Sequence, residues 1–155
     1  MYIPLMDNKS AFQNYFDMTQ KLYRTMVYAL FIYPLFVAAV ETFHFAVFRF
    51  LNFETMQKMG LVFMVLTILS FPLAYISDSF FIKGCLNTHQ LGRKMMFSAI
   101  AKMAMSETIT LFGLIIYITS ANLKFFYLFF IISFVHILAV RPAQKRWQRQ
   151  LDSFV

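Results

Sequence analysis

The chain has one cysteine, four glycines and four prolines in 155 residues. A single thiol, Cys85, excludes an intrachain disulfide and any metal site built on several cysteines. No glycine-rich phosphate loop, no Ser/His/Asp grouping and no acid pair in a water-exposed loop can be assembled. Asp78 and His89 alone are too sparse to act as one. The expectation is therefore a protein that is not an enzyme and holds neither cofactor nor metal. Charge is scarce as well. Only 14% of residues are charged and 60% are hydrophobic, against about 25% charged and 45–50% apolar in soluble domains. There is too little polar surface to clothe a soluble fold.

What is present is bilayer-length hydrophobic sequence. Mean hydropathy is +0.63. Four apolar blocks read as spans over residues 25–48, 59–77, 95–119 and 123–140. Each approaches or exceeds what is needed to cross a hydrocarbon core of about 30 Å. Pro34 is the expected kink site of the first and Pro72 of the second. The second has no charged residue and is expected to be the most lipid-exposed. Residues 49–58 read as a polar turn, 78–94 as the longest internal loop, and Ser120 to Asn122 as a tight turn. Residues 1–155 form a single membrane domain, and no cleaved signal peptide is expected.

Both termini read as amphipathic helices lying at the membrane surface. In the first, Phe12, Phe16, Thr19 and Tyr23 recur at helical spacing, with Ser10 as a candidate cap. In the second, Val140, Ala143, Trp147, Leu151 and Phe154 align, and Pro142 suits a first helical turn. Arg141, Lys145, Arg146, Trp147 and Arg149 are the expected contacts with anionic lipid head groups. The fold class is thus all-α: a four-transmembrane-helix bundle with interfacial helices at both ends.

The net charge is +7, which in a soluble chain would suggest nucleic acid. Here the cations sit at the ends of the apolar blocks, so nucleic acid is not an expected partner. Ten Lys and Arg residues fall on the side of the termini and the 78–94 loop, and three (Arg49, Lys58, Lys124) fall on the other. That bias places both termini in the cytoplasm.

Polar groups inside the spans are the candidate site: Glu41, His44, Lys102, Glu107, Thr110 and His136. Intramembrane ionisable residues are costly and mark function by default. Counted from the basic boundaries Arg24 and Lys94, Glu41 lies roughly 25 Å deep and Glu107 roughly 20 Å. The two carboxylates could therefore meet and share a proton. Such a pair suits a proton or ion pathway; it equally suits a silent pair holding two helices together. Glu41 and His44 form a Glu-x-x-His pair, but a di-metal centre needs a second such pair. His44 reads as a partner for Glu41 or an interfacial residue, His136 as a packing residue. Lys102 is expected to snorkel to the head groups or to pair with a carboxylate on another helix. Glu107, Thr110 and Tyr117 could line a polar seam; Thr110 could instead bond its own backbone, with Tyr117 in an aromatic belt. Binding of lipid or quinone is a further alternative.

A faint repeat relates Ala38–Thr42 to Ala104–Thr108, which would make two parallel hairpins. The stretch from Lys102 to Ile116 resembles the carboxylate-bearing helix of rotary ATPase c subunits, but those need glycine-rich helices. Over residues 88–153 an ordered set of motifs stands out. Lys102, Ala104 and Glu107 precede an apolar run. The Ser120–Asn122 turn and a second apolar run follow, then Arg141-Pro142 and Leu151-Asp152. This set resembles a family of small four-span bacterial inner-membrane proteins of the Bacteroidota kind, with departures at Thr108 and Ser120. The resemblance implies the topology and an inner-membrane location, and no activity. The expected partners are the bilayer with its anionic lipids, and a second copy or another membrane protein. The expected role is structural or accessory.

Overall fold

The computed structural model describes residues 5–44 and 51–153. Among them every regular element is helical: α1 (Leu5–Leu30), α2 (Ile32–Thr42), α3 (Phe53–Ile82), α4 (Thr88–Ser120), α5 (Leu123–Ala139) and α6 (Gln144–Asp152). Three candidate spans are long and apolar enough to cross a membrane: Ser10–Thr42, Phe53–Ile82 and Thr88–Ser120. A fourth exists if α5 and α6, bent by 43° to one another, count as one. Arg49, expected to bound the first span, and Phe154 of the C-terminal stripe lie outside the described residues.

Asparagine sets three of the starts. Asn52, Asn87 and Asn122 each accept a hydrogen bond from the backbone N–H three residues on, at 2.8, 2.8 and 3.2 Å. Each thereby satisfies one of the orphan donors of a helix N-terminus. The polar segments are consequently shorter than expected. Residues 53–58 already belong to α3, and the supposed 78–94 loop shrinks to Lys83–Asn87. Gly84 takes φ +71 in that turn, a conformation that suits a residue without Cβ. Ser10 lies inside α1 rather than capping it.

Proline acts differently at its two helical sites. Pro34 offers no N–H to the Leu30 carbonyl and its ring crowds that turn. The helix breaks there, at Phe31, whose N–H bonds Tyr28 O at 3.1 Å. Pro72, by contrast, lies within an uninterrupted α3.

The bundle is three elements around one. α1 with α2, then α3, and then α5 all pack on α4. Of the most apolar window in each candidate span, 44% is buried for Thr88–Ser120, 17% for Phe53–Ile82 and 11% for Ser10–Thr42. The central helix is therefore α4, and the N-terminal span is more exposed than α3, against expectation. Gly113 permits the α4–α5 crossing. A Cβ there would lie 2.8 Å from Phe129 Cβ and 3.1 Å from the Phe126 carbonyl oxygen.

At one end Phe12 and Phe16 of α1, Leu91 and Met95 of α4, and Trp147 and Leu151 of α6 form one buried cluster. This corrects the expectation for both termini. α1 runs unbroken from the amphipathic stretch into the span, and its apolar stripe faces α4 and α6 rather than a membrane surface. Trp147 is 4% exposed and lies 5.5 and 5.3 Å, ring to ring, from Phe12 and Phe16. It is a core residue and cannot be a head-group anchor. Arg141, Lys145, Arg146 and Arg149 do remain at the surface.

Gly113→Val should lower the thermal unfolding midpoint in detergent well below wild type. Overpacking against backbone costs roughly 1–3 kcal/mol, more than the helix-propensity gain of up to about 1 kcal/mol on replacing a glycine. Gly92→Ala should be milder, since its closest contact, at 2.9 Å, is the Tyr15 ring, which can move.

Candidate functional site

The intramembrane acids do not meet. Glu107 on α4 accepts a hydrogen bond from the Tyr33 hydroxyl on α2 at 2.6 Å. Glu41 on α2 accepts one from the Tyr117 hydroxyl on α4 at 2.7 Å. The two bonds are reciprocal: each helix gives one phenol and one carboxylate. Glu41 lies about two turns beyond Tyr33, ~12 Å at helical rise, so the carboxylates sit at different levels. A proton shared between them is thereby corrected to two separate phenol–carboxylate bonds. Depth counted from Arg24 misled, because that residue lies within α1 and marks no helix end.

The remaining expected groups disperse. His44 follows the end of α2 in a left-handed turn, φ 52, exposed, and among the described residues no hydrogen bond joins it to Glu41. Thr110 is fully buried with Oγ1 unpartnered, so it neither bonds its own backbone nor joins a seam with Glu107. Tyr117 is buried and belongs to no aromatic belt.

The polar cluster that does assemble lies toward the other end of α4. Lys102 is 6% exposed, and its Nζ lies 2.6 Å from Asp78 Oδ1 on α3. It does not snorkel. Asp78, placed in a loop by the sequence reading, is within the last turns of α3. Its Oδ1 also accepts from Ser98 Oγ at 2.7 Å, and its Oδ2 lies 3.7 Å from Arg146 on α6. Ser98 in turn meets Ser77 at 3.3 Å. One carboxylate thus ties α3 to α4 and reaches α6.

Along α4, Ser106 continues the polar line. Its Oγ lies 2.6 Å from His136 Nδ1, and its carbonyl accepts from the Ser133 hydroxyl. The His136 ring packs edge-on to Phe71, centroids 4.6 Å apart. His136 packs in the interior but is only half satisfied: among the described residues its buried Nε2 has no partner. Among the described residues no three His, Cys, Asp or Glu side chains are grouped as metal ligands. Sequence reasoning missed Asp78 as the hub. A charge in a stretch that still carries Phe80 to Ile82 beyond it was the available signal.

Asp78→Asn should destabilise more than Lys102→Met in detergent unfolding. The first strands a buried ammonium; the second leaves a partly exposed carboxylate still near Arg146. Breaking such a pair costs roughly 3–5 kcal/mol when fully buried. The double variant should recover part of the Asp78→Asn loss.

No family model, no curated protein and no solved structure matches the chain.

Proposed function

We propose that this chain is a small non-enzymatic accessory protein of a bacterial inner membrane, working through association with another membrane helix. It would cross four times, α5 being the short fourth span, with both termini in the cytoplasm. The basic-residue bias supports that orientation. So does the clustering of α1, the Lys83–Asn87 turn and α6 at one end of the bundle. The resemblance over residues 88–153 supports the bacterial location.

One observation carries the association. The face of α4 opposite α5 is uncovered, although α4 is the most buried helix. Phe97, Ala104, Thr108, Leu111 and Ile115 follow one another along it and are all exposed. They run in the gap between α2 and α3. Ala104 and Thr108, one turn apart, let another backbone come close, as small residues do at membrane helix interfaces. A proton pathway through Glu107 has less support, since Tyr33 caps that carboxylate and Glu41 is not beside it.

A photo-crosslinking residue at position 108, in native membranes, should trap a neighbouring helix. The same residue at position 68, on the lipid-facing side of α3, should not, and Ala104→Phe should abolish the product. Equal trapping at both positions, or none at either, would count against association through α4. In liposomes, proton flux should not exceed that of protein-free vesicles. Flux that Glu107→Gln removes would replace this reading with a proton pathway.

A further inference from the structure

A cavity of about 200 Å³ opens between α3, α5 and the start of α6, with Phe71, Ala74, Ala139 and Val140 among its walls. Lys102, His136 and Arg146 line it as well. An adjoining cavity of about 330 Å³ shares Tyr75 and Arg146 with it and adds Asp78 and Arg149. Together they make an amphipathic groove, apolar beside His136 and basic towards α6.

Two features of this groove point to an anion. The first is the orphan nitrogen. His136 is fully buried, and among the described residues its Nε2 has no hydrogen-bond partner. The Ser70 carbonyl approaches the ring but makes no hydrogen bond of acceptable geometry. Ser106 Oγ engages Nδ1 at 2.6 Å and also reaches the Lys102 carbonyl at 3.2 Å, so Nε2 stands open to a polar group that either donates or accepts. Buried polar atoms are almost always paired, and an unpaired one on a cavity wall fits a ligand that supplies its partner. The second is charge. Among the described lining residues, Asp78 is the one carboxylate against three cations, Lys102, Arg146 and Arg149. It holds Lys102 at 2.6 Å, while Arg146 lies at 3.7 Å and its side chain is 52% exposed. Arg146 and Arg149 therefore keep guanidinium donors for a phosphate, their preferred planar partner.

We infer that this groove binds the phosphate of an anionic amphiphile. Arg146 and Arg149 hold the phosphate, and His136 Nε2 pairs with the polar group carried inward. An acyl chain lies against Phe71 and the lipid-facing side of α3. Basic pockets between membrane helices on the cytoplasmic side are suited to lipid head groups. The inference shares with the proposed function only the membrane placement, because the α4 stripe lies on a different face.

The full chain, purified in mild detergent, would be titrated with phosphatidylglycerol and with phosphatidylcholine, and bound lipid counted by native mass spectrometry. Phosphatidylglycerol should bind preferentially. Arg146→Gln with Arg149→Gln should weaken it roughly tenfold or more. Lys21→Gln with Arg24→Gln removes equal charge from the exposed surface of α1, outside the groove, and should leave binding unchanged. Both pairs change surface residues, so folding is retained. His136→Phe should weaken binding; should it not fold, the arginine pair carries the test. Inorganic phosphate competing at similar affinity would uphold the phosphate site and assign it a soluble source. Failure to compete would assign it to lipid. Equal weakening by both double variants, or no preference for phosphatidylglycerol, would overturn the inference.

Discussion

A charged group inside a helix bundle needs a partner within a few ångströms, because water is not there to supply one. Lys102 sets that constraint here. Its ammonium is buried where α4 passes α3, and Asp78 is the group that makes this tolerable. The register of α3 against α4 follows from the pair. Once Asp78 sits opposite Lys102, it also faces Ser98, and Arg146 of α6 comes within reach. Replacing such a pair by apolar residues need not cost stability in general. What the pair supplies is selection of one alignment among several apolar ones, since hydrocarbon surfaces by themselves fix register poorly.

The same logic repeats along α4 with different neighbours. Ser106 looks to α5, Glu107 to α2, and Tyr117 to α2 again one level further along. Lys102, Ser106, Glu107 and Tyr117 on this helix are each answered by a side chain of a neighbouring helix. That is a physical reason for α4 to be central. The uncovered face is the one that carries only small and apolar side chains.

How much of this could be read beforehand depends on range. Local features were legible. Hydropathy located the three long apolar helices, and Pro34 located the break to within a turn. The Asn52, Asn87 and Asn122 caps were legible in principle, each standing just before an apolar or helical run. Cross-helix partners were not. Tyr33 and Glu107, or Lys102 and Asp78, are joined only by the way helices pack, and nothing in their sequence surroundings specifies it. Amphipathic stripes were visible at both termini, but a stripe states that something covers it and not what. Phe12 and Trp147 could equally have faced a bilayer; they face each other. Loop limits erred because charged residues such as Asp78 and Arg93 were taken to end a span, whereas helices of this length continue beyond the apolar window.

The contact between α1 and α6 sets an order on the making of the protein. Phe12 and Phe16 close around Trp147, which the ribosome adds near the other end of the chain. At about 5–20 residues per second, the stripe on α1 waits on the order of ten seconds for its cover. During that interval its aromatic face is free to lie in the membrane interface. The surface-bound helix suggested by the sequence thus suits the nascent chain, and burial under α6 the finished one.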